Sequence, residues 1–275
     1  MDVQRLRDDD EDALRALLLT DPVANLFLLS YVEGYGVAVW PWLGVRRGGA
    51  LTAVALLLPG RLAVPWAPDP DDARALGAGL RDLGSPTMMV GPRAAVDTIW
   101  AGWADAARVD RWYDQRLYTI ERPPAVDRRG PPIRLAREDE SEQIAALSAA
   151  MEAEDLGRRP LEHERDRFLE TVGRRLRTGS TWVIERGGAI VFLIHAGART
   201  PWGVQVGGTY VPPEQRGRGI GSWGTRAVVR ELLRRHPRVT LHVNEANTAA
   251  VRCYERAGFR PHAAFRLITL PEGPA

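Results

Sequence analysis

Lysine does not occur in this chain of 275 residues; all 37 of its basic residues are arginine. That absence has mechanistic force. A Walker phosphate loop needs its lysine, and so do Schiff-base and lysine-base chemistry. Cysteine is almost as scarce: Cys253 stands alone, which excludes an intrachain disulfide framework and a multi-cysteine metal site. The five histidines are scattered without zinc-like spacing, so no metal is expected. The longest apolar run, "ALTAVALLL", is too short to span a bilayer, and "MDVQRLRDDDEDALRALLL" lacks the form of a signal peptide. A cytoplasmic protein with no membrane partner is expected. Charge of one sign is also missing. With a net charge of +2 and no basic run, no nucleic-acid partner is indicated, although the pI is near 9.0.

What is present is a soluble globular composition, 45% hydrophobic and 26% charged, in a chain long enough for two domains. The clearest boundary is "ERPPAVDRRGPPIR" (121–134), where four prolines, a glycine and paired arginines erase any hydrophobic period. It sets off residues 1–122, a linker at 123–132, and residues 133–275. In the second part, a short strand at 133–135 precedes an amphipathic helix ending at Gly157 and a second helix over 160–179. A hairpin turning at Arg186-Gly187-Gly188 follows, then a strand at 202–212 and a β–loop–α–β–α–β tail. The first part orders its elements similarly: helices at about 9–19 and 21–34, strands near 37–46, 50–58 and 61–66, helices at about 69–82 and 92–106, and a strand near 110–120. One fragment repeats literally, Arg47-Gly48-Gly49-Ala50 and Arg186-Gly187-Gly188-Ala189, which suggests an ancient duplication.

"QRGRGIGSWG" (215–224) concentrates four glycines and two arginines at the mouth of a helix. Glycine loses the most entropy on folding, so such a cluster needs a reason. A flexible surface loop is one reading. Gly219, Gly221 and Gly224 also fit the dinucleotide pattern G-x-G-x-x-G, but that fingerprint must follow a parallel strand directly, and here "PPEQR" intervenes. The third reading takes Arg216, Gly219 and Gly221 as R-x-x-G-x-G. N–H groups from Arg216 through Gly217, Arg218, Gly219 and Ile220 to Gly221 then face a pyrophosphate at a helix N-terminus, where the macrodipole adds about half a positive charge.

"VPPEQRGRGIGSWGTRAVVREL" followed by "LHVNEANTAAVRCYERAGF" resembles the acyl-CoA-binding core of the GNAT superfamily of N-acetyltransferases. The likeness covers residues 133–270, and the whole chain is similar to bacterial tandem GNAT proteins. The resemblance implies a mixed α+β fold of two GNAT-like domains, each a mostly antiparallel sheet flanked by helices, the first degenerate. It also implies acetyl-CoA as co-substrate. Gln215 through Gly221 match the family's pyrophosphate loop. Val211 matches the position whose backbone pairs with pantetheine, Asn247 the asparagine on the pantetheine arm, and Tyr254 the tyrosine near the thioester sulfur.

Attack on a thioester needs a neutral amine. An alkyl ammonium of pKa ~10.4 is neutral about once in 2,500 molecules at pH 7, a cost of roughly 4.6 kcal/mol, whereas an α-amine of pKa ~7.8 costs about 1 kcal/mol. Many family members carry a carboxylate on the strand before the loop; "VQVGGTYV" has none. Glu152 and His242 are the candidate bases, with Glu154 beside the first, and Tyr254 the candidate acid for the thiolate. Cys253, adjacent to Tyr254, points elsewhere on its helix. The reading is an N-acetyltransferase acting on a small-molecule amine or a protein N-terminus, as a monomer or homodimer. A CoA-binding module without chemistry is the alternative. In the first half, Asp69, Asp71 and Asp72 stand where the loop would be, so no CoA is expected there.

Overall fold

The computed structural model describes residues 2–58, 62–83, 86–103, 109–126 and 130–269. Residues 104–106 of the expected fourth helix and 127–129 of the linker lie outside them. By packing, the chain forms two units. The first is Met1–Tyr118 with His242–Thr248 and Pro261–Ala275; the second is Thr119–Leu241 with Ala249–Arg260.

The first unit runs β1 (Asp2–Arg5), α1 (Glu11–Leu18), α2 (Leu26–Tyr35), β2 (Trp42–Arg47), β3 (Ala50–Leu58), β4 (Leu62–Trp66), α3 (Pro70–Asp82), β5 (Met88–Pro92), α4 (Arg93–Ala101) and β6 (Arg111–Ile120), the last two residues of β6 belonging to the second unit. Strands β1 to β4 pair antiparallel in sequence order, and β4 pairs parallel with β5. Leu76, Leu80, Val96 and Ile99 from α3 and α4 bury against Val45, Ala55 and Met89 of the sheet. Each such aliphatic side chain contributes roughly 1.5–3 kcal/mol.

The chain continues with β7 (Arg134–Leu135), α5 (Ser141–Leu156), α6 (Pro160–His163), α7 (Arg165–Arg177), β8 (Thr181–Arg186), β9 (Ala189–Thr200), β10 (Gly203–Tyr210), α8 (Ile220–Leu232), β11 (Val239–Asn244), α9 (Thr248–Arg256) and β12 (Arg260–Thr269), all of the second unit except residues 242–248 and 261–269. The order is β11-β10-β9-β8-β7, antiparallel except that β10 runs parallel to β11. That parallel register is Val204–Val239, Gln205–Thr240 and Val206–Leu241, and ends there. Ile144, Phe168, Val172 and Leu176 of α5 and α7 close the core over Val183, Ile190 and Leu193. The single helix expected over 160–179 is broken at Glu164, whose φ of −137° and ψ of 33° leave the helical region.

The two units repeat one another in detail. Both Arg-Gly-Gly-Ala turns are two-residue hairpins, with φ of +56° and +86° at Gly48 and Gly49 and +57° and +79° at Gly187 and Gly188. Two positive φ values match the twist of the flanking strands, and glycine takes them without steric cost. Each first strand is followed by a 3-10 turn closed alike: Arg7 N–H donates to Asp10 Oδ2 (2.9 Å), and Arg137 N–H to Glu140 Oε2 (2.7 Å).

The packing differs from the sequence division at 133–275 in one respect. β12 pairs antiparallel with β5, from Phe265–Pro92 to Thr269–Met88, and fully buries Ile268 in the first unit's core. Arg266 bonds Asp97 Oδ1 and Oδ2 at 2.9 and 3.0 Å, pairs with Asp114, and lies 4.2 Å over the Trp112 ring. Glu245 N–H donates to Asp114 O, and Gln115 Nε2 to Asn244 Oδ1. The free edge of β5 selects β12, so these C-terminal segments belong to the first unit.

Candidate active site

β10 ends at Tyr210 because Pro212 and Pro213 offer no N–H to a ladder. After one 3-10 turn, Gly217 (φ +75°) and Gly219 (φ +74°) turn the chain into α8, and Gly219 is its N-cap without any side-chain capping bond. The first intrahelical bond is Trp223 N–H to Gly219 O. Among the described residues, no acceptor meets the N–H groups of Gly217 through Gly221. A Cβ at Gly217 or Gly219 would meet nothing within 4 Å, whereas one at Gly221 would come 3.3 Å from Val211 Cγ2. The loop is therefore a set of unsatisfied donors facing open space, an arrangement with room for an anion. Gly224 serves packing: a Cβ there would lie 2.8 Å from the Phe192 ring. The dinucleotide pattern fails on its strand context, because β9 beside β10 is antiparallel and a 3-10 turn separates β10 from the glycines.

Tyr254 of α9 is buried, its ring edge-on to Phe259, and its hydroxyl shares a hydrogen bond with the Thr209 side chain. Burial pushes its pKa up to about 12, so the phenol is protonated throughout the physiological range. Thr209 owes its direction to a bulge. The β9–β10 register is irregular between Gly207, opposite His195, and Tyr210, opposite Leu193, and Gly208 within it has φ of +60°. The His195 ring packs onto Gly208 so closely that a Cβ would lie 2.5 Å from it. Its Nδ1 is 3.0 Å from Thr181 Oγ1 and its Nε2 3.4 Å from Ser148 Oγ. Burial, then the Arg175 charge, hold His195 neutral with a pKa of about 3.

Residues 136–259 match the family model described as the acetyltransferase (GNAT) family. Over these residues the chain is similar to the GNAT acetyltransferases. Over 64 residues it is 42% identical to a kanamycin resistance protein of Rhizobium radiobacter, covering 22% of this chain and 56% of that protein. The chain thus spans little more than half of that relative. The fold of the whole chain is shared with a GCN5-related N-acetyltransferase from Sphaerobacter thermophilus (TM-score 0.66, 19% identity, 97% and 94% of the two chains). It is shared equally with a tandem GNAT protein from the clavulanic acid biosynthesis pathway (TM-score 0.61, 16% identity, 100% and 99%).

Val211, the loop from Gln215 to Gly221, Tyr254 and Glu152 all lie in the second unit and within the matched residues. Val211 O is occupied, accepting Arg216 Nε at 2.9 Å, and Gln215 Oε1 accepts from Arg218 at 3.3 Å. Ile220 anchors the helix start in the core. Glu152 lies 3.4 Å from Arg158; its Oε2 is buried and accepts no hydrogen bond, and burial raises its pKa. Asn247 and His242 belong to the first unit. Asn247 is exposed, with its N–H on Asn244 O. The His242 ring meets Phe265 edge-on at 4.5 Å; its Nδ1 is buried without a partner, and burial lowers its pKa to about 4. Cys253 bonds Ser222, and burial raises its pKa, which keeps the thiol protonated.

Sequence reasoning missed His195, Gly208 and Thr209, which look like ordinary strand residues. It also passed over Asp155. Burial and then the Glu154 charge raise the Asp155 pKa, and its own charge in turn raises that of Tyr254. Among the described residues, no group of three or more His, Cys, Asp or Glu could hold a metal, and no helix is long and apolar enough to cross a membrane.

Proposed function

We propose that this chain is an acetyl-CoA-dependent N-acetyltransferase acting on a primary amine. The observation that carries the reading is the open start of α8, a run of free N–H groups behind two left-handed glycines. That space and donor set fit a pyrophosphate. Gly217, Arg218, Gly219, Ile220 and Gly221 would hold it, with Gln215 at the rim, and Val211 would meet the pantetheine arm.

When bound, the thioester supplies the acyl group and a thiolate as leaving group. Tyr254 donates a hydrogen bond to that sulfur. Its pKa of about 12 exceeds a free thiol's ~8.5, so it steadies the thiolate more than it surrenders its proton. Glu152, whose buried Oε2 faces Arg158 at 3.4 Å but accepts no hydrogen bond, and Asp155 attract the acceptor ammonium and pass its proton to water. His242, on the first unit and with a pKa of about 4, is too weak a base to hold a proton taken from an ammonium. Over the reaction the ammonium loses two protons, one ending on sulfur and one in water, as the C–N bond forms and the C–S bond breaks.

The test is thiol release from acetyl-CoA against a panel of amines. Kanamycin belongs in it, on the strength of the relative's name, with amino acids, polyamines and a peptide with a free N-terminus. Release that depends on one acceptor class is expected. CoA binding without release across the panel would favour the module without chemistry, a reading supported by the lack of any carboxylate on β10.

A further inference from the structure

Two arginines flank Gly217, and their surroundings differ. The Arg216 guanidinium donates through Nε to Val211 O at 2.9 Å and through an η nitrogen to Glu154 Oε2 at 2.6 Å, and it lies 5.5 Å from the centroid of the Tyr210 ring. Glu154 is fixed from its other oxygen, which accepts the hydroxyl of the buried Tyr210 at 2.8 Å. Arg216, Tyr210, Val211 and Glu154 thus form one closed set, joining the loop and β10 to the last turn of α5. A lone surface ion pair contributes little, but this one shares its carboxylate with a buried phenol and its cation with a strand-end carbonyl. Arg218 is exposed, and its one contact in that loop is the long bond to Gln215.

We propose that the two arginines have separate tasks: Arg218 meets the phosphates of CoA, whereas Arg216 is a positioning residue that ties the loop to the acceptor side of α5 through Glu154. This rests on the acyltransferase reading above. Charge supports it, since the Glu154 carboxylate cancels the Arg216 cation and would repel a phosphate drawn to the same place. Geometry supports it as well. The last turn of α5 carries Glu152 and Asp155 beside Glu154 and ends at Gly157 (φ +66°), so whatever fixes Glu154 fixes where its neighbours stand.

The experiment compares Arg216→Gln, Glu154→Gln and Arg218→Gln in the full chain. CoA affinity is measured by calorimetry at low and high salt, and KM and kcat with the best amine of the panel. Arg218→Gln should weaken CoA about tenfold and remove much of the salt dependence. Arg216→Gln and Glu154→Gln should change CoA affinity less than threefold yet raise the acceptor KM about tenfold, and the double variant should be no worse than either alone. Should Arg216→Gln fail to fold, Glu154→Gln alone decides. The proposal is overturned if Arg216→Gln weakens CoA as much as Arg218→Gln does, or if Glu154→Gln leaves the acceptor KM unchanged. A wild-type chain that binds no CoA would instead remove the functional reading itself.

Discussion

Helices α3 and α8 occupy the same place in the element order of the two units, and their first turns could hardly differ more. At α3 the Asp69 side chain accepts from the N–H groups of Asp71 (2.8 Å) and Asp72 (3.2 Å), with Pro70 supplying a position that needs no donor. Arg47, from the repeated turn, then clamps Asp69 and the buried Asp72 at 2.6 Å each. Backbone donors and this arginine hold the Asp69 carboxyl below the usual range. At α8 the capping position is Gly219, and Arg186, the counterpart of Arg47, is exposed. One helix start carries its own anion; the other leaves its donors open. Two helix starts on one backbone plan can therefore differ in kind through a few side chains.

Breaking the open end should have the largest effect. CoA should titrate to one site per chain, and Gly217→Val with Gly219→Val should lower its affinity a hundredfold or more. The reason is strain, because a β-branched residue at φ near +75° is disfavoured while the space itself is open. A second site, or a site surviving in the double variant, would end the contrast between the units. Tyr254→Phe comes next, with kcat down roughly 10²-fold and CoA affinity unchanged; undiminished turnover would leave Tyr254 a packing residue.

A third expectation concerns both units alike. His195 in one and His242 in the other are held neutral, with folded pKa values of about 3 and 4 against 6.5. A depressed basic group lets the unfolded chain bind protons first, so stability is full above pH 6.5 and falls as acid is added. Between pH 7 and 5 His195 alone should cost about 2 kcal/mol. Melting temperatures that stay flat over that window would show that these rings are not kept neutral. The smallest effect is at the closed end. Asp69→Ala should lower the denaturant midpoint of the first unit slightly and create no CoA binding.

Features carried by neighbouring residues were legible in the sequence. The glycine loop, the proline stop before it, the aspartates of α3 and both Arg-Gly-Gly turns act over a few positions, and their residue types state the backbone they require. Tyr254 could be placed because the motif around it has fixed spacing. What escaped was long-range. Alternation marks 262–269 as a strand but does not say that its partner is β5. The bond between Glu154 and Arg216 joins residues 62 positions apart. Gly208 in "VQVGGTYV" gives no hint that a histidine from β9 will lie on it. The break at Glu164 was missed because the apolar period runs on through α7.

The return of the chain to the first unit at 242–248 and 261–269 has a consequence for how the molecule is made. A ribosome that has reached the proline-rich segment has completed every helix of the first unit, yet β5 still lacks β12, and Ile268 does not yet exist to complete the core. Until residues 261–269 emerge, that unit carries an open strand edge beside exposed aliphatic surface, the kind of species that aggregates or recruits chaperones. Closing it requires contacts between residues some 170 positions apart, which slow folding through loop entropy. Cutting the gene at the linker should accordingly yield an insoluble first fragment rather than an independent domain.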